Sequence, residues 1–172
     1  SDSEVILRAY IEWGLDCFQK FEGMFSICII DSKKSKIFLA RDQMGVKPMY
    51  YAYSGDDLVI ASEQKAILKT ANINPKINQQ ALQDYFLYQT ILGRETLFQD
   101  IYKVKEGQVL SFDLKNRKLL NSHKIEPLSL DVELNSYDDY QLFIKNQILN
   151  ETIDALDTDL DLTFQLSGGI DS

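Results

Sequence analysis

Three times in its first 125 residues the sequence places a short β-branched or aromatic run, a polar turn and a second such run. Residues 24–30 and 36–40 flank Asp31-Ser32-Lys33-Lys34-Ser35, residues 49–53 and 58–61 flank Ser54-Gly55-Asp56-Asp57, and residues 109–114 and 118–125 flank Lys115-Asn116-Arg117. Turns this short reverse the chain, whereas a parallel pair needs a crossover of a dozen residues or more. Each pair therefore predicts an antiparallel hairpin. The nearly continuous apolar run at 24–30 predicts a strand covered on both faces.

Helical patterns fill the gaps. Ser1-x-x-Glu4 has the form of a capping box, and Val5, Ile6, Ala9, Tyr10 and Trp13 recur at helical spacing, which predicts an amphipathic helix over about residues 3–20, weakened near its end by Gly14. Ser62 predicts a cap for a short helix over 63–70, and Asn78 a cap for one carrying Ala81, Leu82, Tyr85 and Phe86 on one side. Residues 126–136, with weak periodicity and one proline, predict a linker. Beyond it Tyr140, Phe143, Ile144, Ile148 and Leu149 mark another helix, and residues 162–166 a short strand.

The net charge of −8 and the pI near 4.6 argue against a nucleic-acid backbone as partner. No apolar run approaches the roughly 20 residues that span a bilayer, and Ser1-Asp2-Ser3-Glu4 lacks the basic and apolar regions of a signal peptide, so a cytoplasmic protein is expected. Cys17 and Cys28 sit in apolar stretches without metal-ligand spacing and are expected to be reduced, buried thiols. His123 is expected to be exposed, and the run Asp154, Asp157, Asp159 and Asp161, alternating with apolar residues, to be solvated. The chain starts on a helix-start pattern without Met and stops in a loop that leads toward a helix, which predicts an internal segment of a longer protein.

The strongest chemical signal is Ser167-Gly168-Gly169-Ile170-Asp171-Ser172, directly after the apolar run 162–166. A strand, a loop of small residues and a helix start aim several backbone N–H groups at one point, where an anion can sit. Glycines let that backbone approach phosphate oxygens, and serine hydroxyls add donors. Asp171 would repel a bare phosphate, and its presence makes sense if Mg²⁺ bridges it to the phosphates. No Lys follows the glycines, so this is not a GxxxxGK[ST] loop. SGGxDS resembles the pyrophosphate-binding loop of the N-type ATP pyrophosphatases, which activate a carboxylate or carbonyl by adenylation.

The rest of the chain extends the resemblance. Phe21-Glu22-Gly23-Met24-Phe25, Ile30-Asp31, Arg41-Asp42-Gln43-Met44-Gly45-Val46-Lys47-Pro48-Met49-Tyr50-Tyr51, Ala61-Ser62-Glu63 with Lys65-Ala66, and Thr96-Leu97-Phe98 with Ile101 and Lys103 resemble the glutamine-hydrolysing asparagine synthetases in order and spacing. The resemblance implies the fold class α+β: an incomplete αββα sandwich of the N-terminal-nucleophile amidotransferase type over residues 1–125, a linker over 126–136, and over 137–172 the first helix, strand and loop of an α/β ATP-pyrophosphatase domain.

It implies a two-site reaction. An N-terminal Cys thiolate attacks the side-chain amide of glutamine and releases ammonia. ATP and Mg²⁺ convert aspartate to β-aspartyl-AMP, and ammonia displaces AMP in a site closed to bulk water. Asp2 matches the acidic residue that receives the α-ammonium of glutamine, an interaction a charge-assisted hydrogen bond would supply. Asp2 also suits the first turn of a helix whatever the ligand. Leu166, Ser167, Gly168, Gly169, Asp171 and Ser172 match the ATP and pyrophosphate loop, with Mg²⁺ held by Asp171 through pyrophosphate. Arg41, Asp42, Gly45 and Pro48 are expected to shape a loop rather than touch ligand, with Gly45 supplying an unusual backbone angle. The resemblance leaves room for a homodimer of the full-length protein.

The chain departs from the family pattern where activity is concerned. Neither Cys17 nor Cys28 has the free α-amino group the nucleophile needs, and the early arginine and the Asn-Gly segment that hold glutamine are missing, so these residues alone are expected to be inactive. Glu106-Gly107 replaces the Pro-Gly of many relatives, and an aromatic pair is replaced near His123-Lys124-Ile125. Three readings remain open: part of an asparagine synthetase; part of a related amidotransferase or β-lactam-synthetase-like ligase acting on another carboxylate; and a non-catalytic, truncated interaction module.

Overall fold

The computed structural model describes residues 1–70, 73–126, 135–156, 158 and 160–169. In chain order the elements are α1 (Asp2–Trp13), β1 (Ser26–Asp31), β2 (Lys36–Arg41), β3 (Tyr50–Ser54), β4 (Asp57–Ala61), α2 (Gln64–Thr70), α3 (Gln79–Tyr88), β5 (Ile101–Lys103), β6 (Gln108–Asp113), β7 (Leu119–Lys124) and α4 (Tyr137–Ala155). They fall into two units, Ser1–Leu128 and Ser129–Ser172.

All three expected hairpins form, as β1–β2, β3–β4 and β6–β7. They are distributed over two antiparallel sheets, one in the order β1-β2-β6-β7 and one in the order β4-β3-β5. The first unit is thus α+β with antiparallel sheets. β5 was not legible in the sequence: three residues carry no alternation, and it forms because Ala52, Tyr51 and Tyr50 of β3 face Ile101, Tyr102 and Lys103.

Strand alternation sorts the side chains into three apolar clusters. On one face of the four-stranded sheet Ile27, Phe38, Ala40 and Val109 pack against Ala9, Tyr10, Cys17 and Phe18. Its other face sends Ile37, Leu39, Leu110 and Phe112 against Met49, Tyr51 and Val104, so the second sheet lies over it. The outer face of that second sheet buries Ala52 and Ile101 against Ile67 of α2.

The strand covered on both faces is β2, with Leu39 and Ala40 fully buried, rather than the run at 24–30. Among the described residues β1 is an edge strand paired only to β2, and its residues alternate between covered and open. Cys28 and Ile30, opposite Leu39 and Ile37, lie on the face where the second sheet does not reach; Ile30 is 65% exposed. Cys28 is therefore exposed, contrary to expectation, and only Cys17 is buried. An apolar run reports the wish for cover on two faces, while the cover itself is set by neighbours the run does not encode.

The first helix also ends earlier than its periodicity suggests. Gly14, at φ 61°, stops α1 at Trp13, and Gly14–Gln19 continues as a tighter 3-10 helix that buries Cys17 and Phe18. The capping box does not close, because Ser1 makes no side-chain cap bond and Glu4 instead pairs with Arg8 at 2.8 Å. Asn78 does cap α3, accepting from the amides of Gln80 and Ala81 at 3.1 and 3.2 Å.

In the second unit Ser136 caps α4 by accepting from the Asp139 amide at 3.1 Å. None of the residues of α4 is buried. The strand expected at 162–166 does not form; those residues are irregular and exposed. A strand needs a neighbour to take its N–H and C=O groups, and the second unit offers none among its described residues. Most of the expected linker, residues 127–134, lies outside the described residues.

Candidate functional site

Asp2 is the first residue of α1 and is exposed, with no hydrogen-bond or ion-pair partner among the described residues. Its carboxylate stands at the positive end of the helix and is free to accept from a cationic group. The helix that carries it is seated on the sheet by Ala9 and Tyr10.

Tyr10 makes a polar contact that sequence reasoning missed. Its phenol donates to Asp31 Oδ2 at 2.8 Å, at the end of β1. The other oxygen of Asp31 accepts from the Lys34 amide at 2.8 Å, closing the β1–β2 turn. Lys34 Nζ completes the group, 3.3 Å from the phenol oxygen and 4.8 Å from the ring centroid. The Lys34 amide, and then the Tyr10 phenol, hold the Asp31 carboxyl below its usual range. Burial, followed by the bond to Asp31, pushes the Tyr10 phenol well above its ordinary value, so it stays a donor. In sequence these residues read as a core aromatic and a turn; only their separation of 21 positions hides the pair.

The loop after β2 is built around two buried charges. Arg41 donates from Nε to the Lys47 carbonyl and from Nη1 to the Val104 carbonyl, both at 2.8 Å, and from Nη2 to the Gly45 carbonyl. Asp42 accepts from the amides of Val46 and Lys47 at 2.9 and 3.1 Å. Burial alone would raise the Asp42 carboxyl, but these amide bonds outweigh it and hold it below the usual range. The Asp42 carbonyl accepts from Gly107 at 2.8 Å, and Ser26 Oγ donates to the Pro48 carbonyl at 3.2 Å.

Gly45 sits at φ 64°, where a Cβ would meet Glu106 Cγ at 2.5 Å, so the expected unusual backbone angle is present. The side-chain bonds of both charges go to backbone groups, those of Asp42 to the amides of Val46 and Lys47 and those of Arg41 to the carbonyls of Gly45, Lys47 and Val104, so Arg41 ties the loop to the segment ahead of β6. Glu106 lies 3.7 Å from Arg41 Nη1, so the departure at Glu106 places a carboxylate beside this buried cation.

In the second unit the described part of the small-residue loop is Leu166, Ser167, Gly168 and Gly169. Gly168 takes φ 77° and Ser167 Oγ accepts from the Gly169 amide at 3.2 Å. A Cβ at Gly168 would meet nothing within 4 Å, so the turn is open on that side. Asp171 and Ser172, the expected magnesium and pyrophosphate contacts, lie outside the described residues, as does Ile170. His123 is exposed, as expected, and lies on strand β7. Among the described residues no helix is long and apolar enough to cross a membrane, and no group of acidic, His or Cys side chains is clustered as for a metal ion.

Residues 1–123 match the glutamine amidotransferase domain. A protein named putative asparagine synthetase (glutamine-hydrolyzing) 2 from Methanocaldococcus jannaschii is 40% identical over 121 residues, 69% of this chain and 24% of that protein. Asparagine synthetase (glutamine-hydrolyzing) 3 from Bacillus subtilis is 30% identical over 173 residues, covering all of this chain and 28% of its own length. Amidase chry2 from Gibberella zeae is 27% identical over 174 residues, again all of this chain and 25% of that protein. The chain thus spans about a quarter of the length of these relatives. Hairpins in two antiparallel sheets, a loop locked by Arg41 and Asp42, and a match that runs through the first unit agree on one origin: the chain belongs to the glutamine amidotransferase domain family.

Proposed function

We propose that the chain is part of a glutamine-dependent asparagine synthetase, comprising the later portion of its amidotransferase domain and the entry to its synthetase domain. The observation that carries this reading is the amidotransferase match over residues 1–123 followed, in the same chain, by Ser167-Gly168-Gly169-Ile170-Asp171-Ser172. In this reading the layers of the first unit are an αββα sandwich of the N-terminal-nucleophile type. The unpaired edge of β1, with Cys28 and Ile30 uncovered, is where strands carrying the nucleophilic cysteine would add.

Glutamine is hydrolysed to glutamate and ammonia, with Asp2 receiving the α-ammonium group. Aspartate and ATP give β-aspartyl-AMP and pyrophosphate, and ammonia displaces AMP to give asparagine. Ser167, Gly168, Gly169 and Ser172 would donate to the pyrophosphate, with Leu166 leading into the loop. Mg²⁺ bound through the pyrophosphate to Asp171 would offset its charge. Residues 1–172 would catalyse neither half-reaction alone, and a cytoplasmic location belongs to the same proposal. The full-coverage likeness to an amidase favours one alternative, a related amidotransferase in which the same loop activates another carboxylate.

The test is Asp2→Asn in the full-length enzyme. Loss of a charge-assisted bond worth about 1.5–3 kcal/mol lowers kcat/KM for glutamine by roughly 10- to 150-fold. Synthesis from ammonia, which bypasses the first site, keeps its rate. Equal loss with both nitrogen sources would show Asp2 to be a structural residue of α1 instead.

A further inference from the structure

α1 meets the four-stranded sheet through few side chains. Ala9 and Tyr10 are its buried residues and Ile6 packs half-buried against the same cluster, while Val5, Leu7 and Ile11 are more than half exposed. Apolar contacts of this kind resist separation but are not directional, so they leave the rotation and tilt of a helix weakly defined. Direction comes from hydrogen bonds. Among the described residues the Tyr10 phenol is the one group of α1 that makes hydrogen bonds to the sheet or its turns, through Asp31 at 2.8 Å and Lys34 at 3.3 Å.

The acceptor is itself fixed. Asp31 is the last residue of β1, and its second oxygen is held by the Lys34 amide in the β1–β2 turn. Lys34 lies over the Tyr10 ring, and that ring packs against Phe38 of β2 with centroids 5.7 Å apart. Tyr10 is thus gripped on its face, its edge and its hydroxyl. Eight residues separate it from Asp2, about 12 Å of helix, so a tilt of about 5° about Tyr10 would move Asp2 by about 1 Å.

We propose that Tyr10 is a positioning residue: its phenol, held by Asp31, sets the orientation of α1 on the sheet and so the place of the Asp2 carboxylate at the glutamine site. The inference rests on the reading of Asp2 as the group that receives the glutamine ammonium. Its acceptor, Asp31, acts through Tyr10 and does not touch substrate.

The experiment is made on the full-length enzyme, with steady-state kinetics for glutamine and for ammonia and with amide hydrogen exchange. Because misplacement by about 1 Å is costly at a preorganised site, Tyr10→Phe raises KM for glutamine about tenfold, with kcat changed by less than about twofold. Ammonia-dependent synthesis is unchanged. Amides of α1 exchange about tenfold faster, while those of β2 and β6 keep their rates. Asp31→Ala reproduces the effect, and Asp31→Asn, whose amide oxygen still accepts from the phenol, largely restores the parent KM.

An unchanged KM in Tyr10→Phe while Asp2→Asn is impaired overturns the proposal. So does an equal loss with glutamine and ammonia, or faster exchange throughout β2 and β6, since each marks general destabilisation. Failure of the underlying reading is seen separately, as an Asp2→Asn variant whose KM for glutamine equals that of the parent.

Discussion

The two units use the same kinds of apolar residue to different ends. In the first, Ile37, Leu39, Leu110 and Phe112 are buried between sheets, and α1 and α2 close the outer faces. In the second, Tyr140, Ile144, Ile148 and Leu149 of α4 are each more than half exposed, and the apolar run 162–166 forms no strand. The difference shows what each element requires. A helix satisfies its own backbone, so α4 forms from a serine cap and two acidic residues in its first turn. A strand satisfies its backbone only through a neighbour, so equal hydrophobicity at 162–166 yields nothing without one.

Removing the charge at the centre of the first unit should separate the two regions most. Arg41→Met leaves the carbonyls of Gly45, Lys47 and Val104 without their donor and Asp42 without its neighbouring cation. The expected cost is about 3–5 kcal/mol. Urea unfolding followed by the near-ultraviolet signal of the buried aromatics measures it. A shift below about 1 kcal/mol would mean that the loop is not the keystone of this unit.

Acid sharpens the contrast by a smaller amount. Asp42 is held below the usual carboxylate range by amide bonds that outweigh its burial, and Asp31 by the Lys34 amide and the Tyr10 phenol. A depressed folded-state value stabilises fully above the unfolded value, about 3.9, and that stability is lost as pH falls through the lower folded value. The denaturation midpoint of the first unit should therefore be flat above about pH 5 and fall below about pH 4. Asp31→Asn should make the fall shallower; an unaltered slope would remove Asp31 from the account.

The smallest effect is expected in the second unit. Ser136→Ala removes the bond to the Asp139 amide and should cost α4 about 0.5–1 kcal/mol, the range of an exposed helix cap. Far-ultraviolet circular dichroism should show reduced helix content, while the unfolding of the first unit keeps its midpoint. A matching loss in the first unit would break the comparison, because it would make α4 part of the same cooperative transition.

Much of the first unit was legible because its signals are local. The turns after Asp31, Ser54 and Leu114 reverse the chain wherever it lies, and Asn78 caps α3 through its own neighbours. The unusual backbone angle expected at Gly45 is present, at a positive φ. Less legible was where a pattern ended or what covered it. Periodicity carried the first helix past Gly14, and hydrophobicity assigned two covered faces to β1 when β2 holds that place.

The sequence by itself determined the hairpins, through residue type and short-range spacing, and the family, through the motifs it shares; the α+β class and Asp2 as a site candidate came with that resemblance. Tertiary structure alone decided that β1 lies at a sheet edge, that Cys28 is exposed, that three residues at 101–103 form a strand, and that Tyr10 finds Asp31. The physical reason is range. Turns and caps are satisfied within a few residues, whereas burial, strand pairing and a buried hydrogen bond need partners brought from elsewhere in the chain.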